Sequence, residues 1–385
     1  MSLTMPLSPL VSEAPAIVYI DFKSPYAYLA IEPTRELERQ LGVQFDWRPF
    51  VLDIPSYLGS ARLGKAGEVV EQQRSEEQWS GVKYAYYDCR RYANLWGLKI
   101  RGTEKIWDTN LVSTAMLWTR QISHAATQQF IDSVYPRFWV RDLDIENEEV
   151  VAGLLSTCGL DGQAFLEWAR EEGTALNADF QNAAFEAGVY GVPTFVVDGE
   201  RYFGREHLPR VRWQIEGGRG DAPDIANPLP ADLLPYASLP EHVYVGVDSS
   251  LDSLRAIPEL AALLKNYSGA VSWVRVTSKE PSVSKVEGDD NADGVSSRSA
   301  MHRQYRKDNA AASRERYGVL GVAEDSYPEA IEVLLNSLNI QLSLDVPEKL
   351  QRPAMPGVNV LLDDEIFIGR QHLPLLAKKL CLGDL

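Results

Sequence analysis

The chain has 385 residues, enough for two domains or more with sizeable cores, and 45% apolar with 24% charged residues is ordinary for a globular protein. Its 38 basic against 54 acidic residues give a net charge of −16, which argues against a nucleic-acid face and an anionic membrane surface but not against a small anionic ligand. No run approaches the ~18 apolar residues of a membrane span. The N-terminal tail, residues 1–16, shows neither a signal peptide nor an anchor. Cys89, Cys158 and Cys381 stand singly, which suggests a reducing, cytoplasmic setting and neither a disulfide framework nor a metal site.

Residues 17–22 (IVYIDF) read as a buried strand, and Ser24-Pro25 as a helix start with a hydroxyl N-cap and proline in the first turn. The helix carries Tyr28, Leu29, Ile31, Leu37 and Leu41, is expected to kink at Pro33, and closes at Gly42. A strand at 43–50 completes a βαβ unit and hence a parallel pair. From about Gly64 to Gly188 the pattern is helical without strands, with segments near 67–96, 108–122, 127–140, 147–158 and 161–172. Val192–Val197, the Asp198-Gly199 turn and Glu200–Phe203 read as a hairpin, followed by a helix from Arg205 to about Ile215. This order is that of a thioredoxin-like α/β fold, residues 17–216, with a helical domain inserted at about 64–188.

Five prolines and three glycines mark 217–240 as a linker. Residues 241–385 then show a strand at 243–247, a helix at 250–265 and a strand at 270–276. A polar stretch at 278–300 reads as mobile. Helices at 301–317 and 327–338, a hairpin at 358–368 and a helix at 370–380 follow. This second part repeats the first. GVPTFVVDGERYFGREHLP (Gly191–Pro209) matches PGVNVLLDDEIFIGRQHLP (Pro356–Pro374) at an offset of 165. Tyr19–Ser24 matches Tyr244–Ser249 at 225, with Pro33 opposite Pro258. Such self-similarity marks a duplicated unit. The second copy reads as a reduced thioredoxin-like domain that has lost most of the insertion.

YIDFKSPYAYLA together with GVPTFVVDGERYFGREHL resembles the DsbA-like branch of the thioredoxin superfamily. More narrowly, it resembles the 2-hydroxychromene-2-carboxylate isomerases and kappa-class glutathione transferases, over residues 17–216. The resemblance implies glutathione as cosubstrate and Ser24 as the catalytic donor to its thiolate. At a helix N-terminus a hydroxyl donor lowers a thiol's pKa; the simpler reading of Ser24 is an N-cap worth ~1 kcal/mol. Val192-Pro193 matches the family's cis-proline, beside which the Val192 backbone would pair with the cysteinyl part of glutathione; a trans proline on an edge strand is the other reading. Arg205 and Glu206 stand where relatives hold the γ-glutamyl end, although a charged first helical turn also accounts for Glu206.

For the second substrate, Tyr26, Tyr57 and Trp107 offer aromatic walls, or core packing. Asn110 could orient a ligand, and Arg48-Pro49 matches the family's Arg-Pro after the second strand. The Lys and Asn that the isomerases carry in the next loop are missing from VLDIPSYLGSARLG. His207 and His372 recur in both copies, which suggests a structural task, and Cys89 reads as buried. No nucleophile elbow, P-loop, zinc-protease helix or dinucleotide glycine fingerprint is present.

In the second copy Val358 takes the proline slot, Gln371 replaces Glu206, and Ser249 is followed by Ser-Leu, so this half reads as non-catalytic. It would close over the first cleft or form an interface, a homodimer being compatible with either. The sequence therefore points to a glutathione-dependent transferase or isomerase acting on a small, aromatic electrophile. The alternative is a two-domain binding protein without turnover. A disulfide oxidoreductase is chemically poor without C-x-x-C.

Overall fold

A computed structural model describes residues 7–58, 61–63, 69–72, 74, 76–234, 238–277, 293–319, 321–351 and 353–380. The chain forms two compact units. The first comprises Met1–Arg74, Cys89–Pro223 and Asp289–Arg306; the second comprises Ser75–Asp88, Asp224–Gly288 and Lys307–Leu385. No helix among the described residues is long and apolar enough to cross a membrane.

The first unit starts with β1 (Ile17–Ile20), every residue of which is buried. Helix α1 (Pro25–Leu41) is capped by Ser24, runs through Pro33 and stops at Gly42 in the left-handed region (φ 66°). After β2 (Asp46–Pro49) come α2 (Pro55–Leu58) and an antiparallel pair, β3 (Ala61–Leu63) with β4 (Val69–Gln72). That pair corrects the expectation of unbroken helix from 64 onward: β-branched Val69-Val70 favours extended backbone, and α3 (Glu76–Leu95) begins later than periodicity suggested.

Helices α4 (Asn110–Ile122), α5 (His124–Trp139), α6 (Glu148–Thr157), α7 (Gly162–Trp168) and α8 (Thr174–Glu186) follow. A π-helical turn, Ala169–Gly173, joins α7 to α8. Gly173 lies flat against Trp168 there, and a Cβ would stand 2.5 Å from the indole. The sheet closes with β5 (Thr194–Val197), β6 (Glu200–Phe203) and α9 (Leu208–Ile215). Strand order is β2-β1-β5-β6, with β1–β2 parallel and the other pairs antiparallel, as the βαβ and ββα patterns imply.

The second unit repeats this sheet with β7 (His242–Val247), α10 (Leu251–Leu264) and β8 (Ala270–Arg275). The polar 278–300 stretch lies outside the described residues as far as 292. Its remainder is helical, because α11 spans Asp293–Tyr317 rather than beginning at 301. Then come α12 (Tyr327–Ser337), a two-residue strand β9 (Leu342–Ser343), α13 (Glu348–Gln351), β10 (Asn359–Leu362), β11 (Glu365–Ile368) and α14 (Leu373–Lys379). Strand order is β11-β10-β7-β8-β9, so a fifth strand not foreseen in the sequence pairs with β8.

The two sheets align in a different register from the one the sequence repeat suggested at its start. Tyr19 pairs with Thr194, and Gly246 pairs with Asn359. With the hairpins aligned at 165, Gly246 and not Tyr244 is the counterpart of Tyr19. Asp248 thus follows its strand as Asp21 does, and Ser250, not Ser249, caps the following helix.

Candidate functional site

The first unit's site begins where β1 hands over to α1. Fully buried Asp21 organises this corner: its carboxylate accepts from Lys23 N at 3.2 Å and Leu52 N at 2.7 Å, and lies 3.6 Å from the Lys23 ammonium. Tyr135 donates to the Asp21 carbonyl at 3.0 Å. Ser24 follows at φ −95°, ψ 116°, and its hydroxyl oxygen accepts from Ala27 N at 3.2 Å. Pro25 has no N–H, so this one bond satisfies a helix-start donor while leaving the dipole's positive end at the hydroxyl. The Ser24 hydroxyl proton is directed at the Val192 carbonyl, 3.5 Å away, a long and weak bond.

The Val192–Pro193 peptide is cis. Gly191 before it is required by packing, since a Cβ would stand 2.5 Å from the Phe203 ring. The Val192 N–H has no acceptor among the described residues. Ser24 and Val192 are thus brought together from 168 residues apart, each about 95% buried. Further along, Gly204 takes φ 115°, and the Glu206 carboxylate folds back over it, 2.3 Å from where a Cβ would be. Arg205 is buried, its guanidinium 4.1 Å over the Tyr92 ring. His207 packs against Tyr202 at 5.9 Å, as His372 does against Phe367 at 5.8 Å, which suits a structural role in both copies.

A cavity of about 500 Å³ opens beside Lys23. Trp107 and Asn110 line it, together with Asp53, Gln181, Asn182 and Arg298. Asn110 opens α4 and is held by Asp108, whose carboxylate accepts from its N–H at 2.9 Å and its Nδ2 at 2.7 Å. Gln181 ties α8 to the end of β2, accepting from Val51 N at 2.8 Å and donating to the Pro49 carbonyl at 3.3 Å.

Arg48 does not belong here, which corrects the sequence expectation. Its guanidinium donates to Asp46 at 2.6 and 3.0 Å and to the Ser8 and Val11 carbonyls at 2.5 and 3.0 Å. Arg120 completes the cluster with bonds of 2.6 and 2.8 Å to Asp46. Strand alternation puts Asp46 and Arg48 on one face, so the pair locks the N-terminal segment rather than reaching a ligand. Burial raises the Asp46 pKa, but the bonds from Arg120 and Arg48 outweigh it and hold the carboxyl at about 2. Tyr26 is half-buried on the first turn of α1 and does not line the cavity. Tyr57 lies outside the residues whose side chains are described.

Sequence reasoning missed Lys23, Asp53, Gln181, Asn182 and the first half of α11. Two adjacent amides in the apolar FQNAAF stretch were the available signal for Gln181 and Asn182. Within the first unit, α11 packs on the segment before the cis peptide. Tyr190 stands edge-on to His302 at 5.4 Å and stacks near Tyr305 at 6.5 Å, and Tyr305 donates to the Glu186 carbonyl at 3.1 Å. Burial, and then the neighbouring Arg306 charge, bring the His302 pKa down to about 4 against the opposing backbone bond at Tyr190. Ser299 donates to the Ser56 carbonyl at 2.9 Å.

Curated relatives match about half of the chain. A 2-hydroxychromene-2-carboxylate isomerase of Sphingobium xenophagum is 25% identical over 194 residues, 49% of this chain and 92% of the relative. Its namesake from Pseudomonas sp. (strain C18) is 23% identical over 206 residues, 53% and 90%. Among solved structures, a 2-hydroxychromene-2-carboxylate isomerase aligns with TM-score 0.41 at 20% identity, covering 53% of this chain and 93% of the other. A probable DsbA oxidoreductase from Streptomyces coelicolor aligns with TM-score 0.41 at 19%, covering 55% and 93%. Residues 16–216, just over half the chain, match the DSBA-like thioredoxin domain model, and the chain belongs to that family.

Proposed function

We propose that the first unit is a glutathione-dependent isomerase or transferase acting on a small aromatic electrophile. The observation that carries this reading is the Ser24 hydroxyl, set at the start of α1, whose proton finds among the described residues only a 3.5 Å bond to the Val192 carbonyl. A glutathione thiolate offers that proton a stronger acceptor. The hydroxyl and the helix dipole both favour the ionised thiol and so lower its pKa. The open Val192 N–H supports pairing with the peptide's backbone. Arg205 and Glu206 would meet its γ-glutamyl end. Trp107 and Asn110 would hold the electrophile in the cavity beside Lys23.

In the reaction, the thiolate sulfur forms a bond to the electrophilic carbon of an alkene conjugated to a carbonyl. The π pair moves to the carbonyl oxygen as an enolate. Rotation about the resulting single bond and expulsion of the thiolate gives isomerisation; proton uptake on carbon instead gives a stable conjugate. The family's isomerase-named members favour the first outcome. The chemistry needs reduced glutathione, which fits a cytoplasmic setting.

Calorimetric titration of glutathione into wild type and Ser24→Ala, with the bound thiol's pKa followed by thiolate absorbance, tests the proposal. Binding with a depressed thiol pKa that rises by about 1 unit in the variant is expected, the worth of one charge-assisted hydrogen bond. An unchanged thiol pKa in the variant would remove Ser24 from the chemistry, and no binding by either protein would remove glutathione.

A further inference from the structure

Arg298 lies beyond residue 216, where the match to the family model ends, yet it lines the first unit's cavity. Its surroundings hold it in place. The guanidinium lies 4.1 Å over the Phe185 ring, and its neighbour Ser299 is bonded to the Ser56 carbonyl at 2.9 Å. One turn on, His302 meets Tyr190. A guanidinium stacked on an aromatic face presents its N–H edge outward.

The donors on that edge are barely used. Of five N–H groups, the described residues accept only one, Asn182 Oδ1 at 3.4 Å. Asp53 stands 3.6 Å from Nε, an ion pair without a hydrogen bond, and its side chain is 43% exposed. Such a pair is weak and exchangeable. Lys23 is committed to fully buried Asp21, and Asp108 to Asn110.

We infer that Arg298 is a specificity-determining residue of this cavity and that it binds the carboxylate or other planar oxyanion of the second ligand by its free edge. The inference rests on reading the cavity as the second-substrate end of the glutathione site. It goes beyond that reading in assigning recognition to a helix that the family domain does not contain. Asp53 is the internal competitor that the ligand's oxyanion displaces.

The test uses the full chain and two probes of equal ring size, 1-naphthoate and neutral 1-naphthalenemethanol, titrated calorimetrically into wild type, Arg298→Met and Asp53→Asn. Methionine keeps an apolar stem over Phe185 without the charge. Wild type is expected to prefer naphthoate by about 10-fold or more, the worth of a charge-assisted bond. Arg298→Met is expected to erase that preference, and Asp53→Asn to raise naphthoate affinity several-fold. Should Arg298→Met fail to fold by circular dichroism, Asp53→Asn decides alone. Equal affinity for the two probes in wild type, a preference that survives Arg298→Met, or no gain in Asp53→Asn would overturn the inference. Glutathione titrated into the same proteins separates the two readings, because an Arg298-dependent preference without glutathione binding would sink the glutathione site and leave this one standing.

Discussion

The corresponding corners of the two units differ in what occupies their backbone donors. In the second, carboxylates of the chain itself do. Asp248 accepts from Gly357 N at 2.8 Å, and Asp252 accepts from Val358 N at 3.0 Å and Arg370 N at 3.2 Å. Asp252 also takes Arg370 Nη1 at 2.9 Å, while Asp224 takes Arg370 Nε and Nη2 at 3.0 and 2.9 Å. Asn227 N donates to the Gln371 carbonyl at 2.9 Å, so the linker's own chain covers this corner. In the first unit, Asp21 is turned toward Leu52, proline removes the donor that Val358 supplies, and the Val192 N–H has no acceptor among the described residues. By helix-cap position, Tyr26 stands where the second copy has Asp252. A fold keeps its shape while a few side chains decide whether a site is filled from within or left for a ligand.

The strongest way to break this comparison is to move the plug. Tyr26→Asp places a carboxylate on the second residue of α1, as Asp252 stands in α10, and should cost glutathione affinity about 100-fold or more by reaching Arg205 as Asp252 reaches Arg370. Tyr26→Ala, lacking the carboxylate, should cost far less. Similar losses in both variants, measured by calorimetry, would mean that Tyr26 matters only for packing.

Opening the second copy is the converse. Asp252→Ala strands two backbone donors and Arg370 Nη1, leaving Arg370 to Asp224 alone, and should destabilise that unit by about 3 kcal/mol, seen as an earlier transition in urea unfolding. A transition within 0.5 kcal/mol of wild type, roughly the scatter of a surface change, would mean that water replaces the carboxylate easily.

A smaller effect sharpens the contrast in the sheets, since β8 (AVSWVR) carries no acid where β2 holds Asp46. With its carboxyl held at about 2 against an unfolded value near 3.9, Asp46 contributes stability that is present above pH ~4 and lost as pH falls through about 2. That contribution is about 2 to 3 kcal/mol. Asp46→Asn should lower stability at pH 7 by that order, with the gap to wild type closing by pH 2 in acid unfolding. A gap that persists at pH 2 would trace the loss to packing instead.

Sequence patterns carried the local parts of this picture. Ser24-Pro25 is a helix cap because a hydroxyl before proline satisfies the first turn, and Val192-Pro193 is cis as the family resemblance implied. The hairpin repeat held its 165 spacing through Gly204 and Gly369, whose φ of 115° and 102° match. What remained hidden was set by long-range packing. Arg298 reaches the cavity on a helix remote in sequence, and no periodicity announces which unit a charged helix will cover. Arg48 was misplaced because a strand residue's face depends on the segment packed over it, here residues 8–11. The start of the repeat was matched two residues early, since Tyr-x-x-x-x-Ser aligns letters while sheet pairing aligns Asp21 with Asp248.

The central claim is that the Val192 N–H in the first unit's corner awaits a ligand while its counterpart, the Gly357 N–H, is filled. Backbone amide chemical shifts during glutathione titration test it most directly. The account predicts saturable shifts at Val192 and around Ser24, with Gly357, Val358 and Arg370 unmoved. Shifts centred on Gly357 and Val358, or none at either corner at millimolar glutathione, would contradict it.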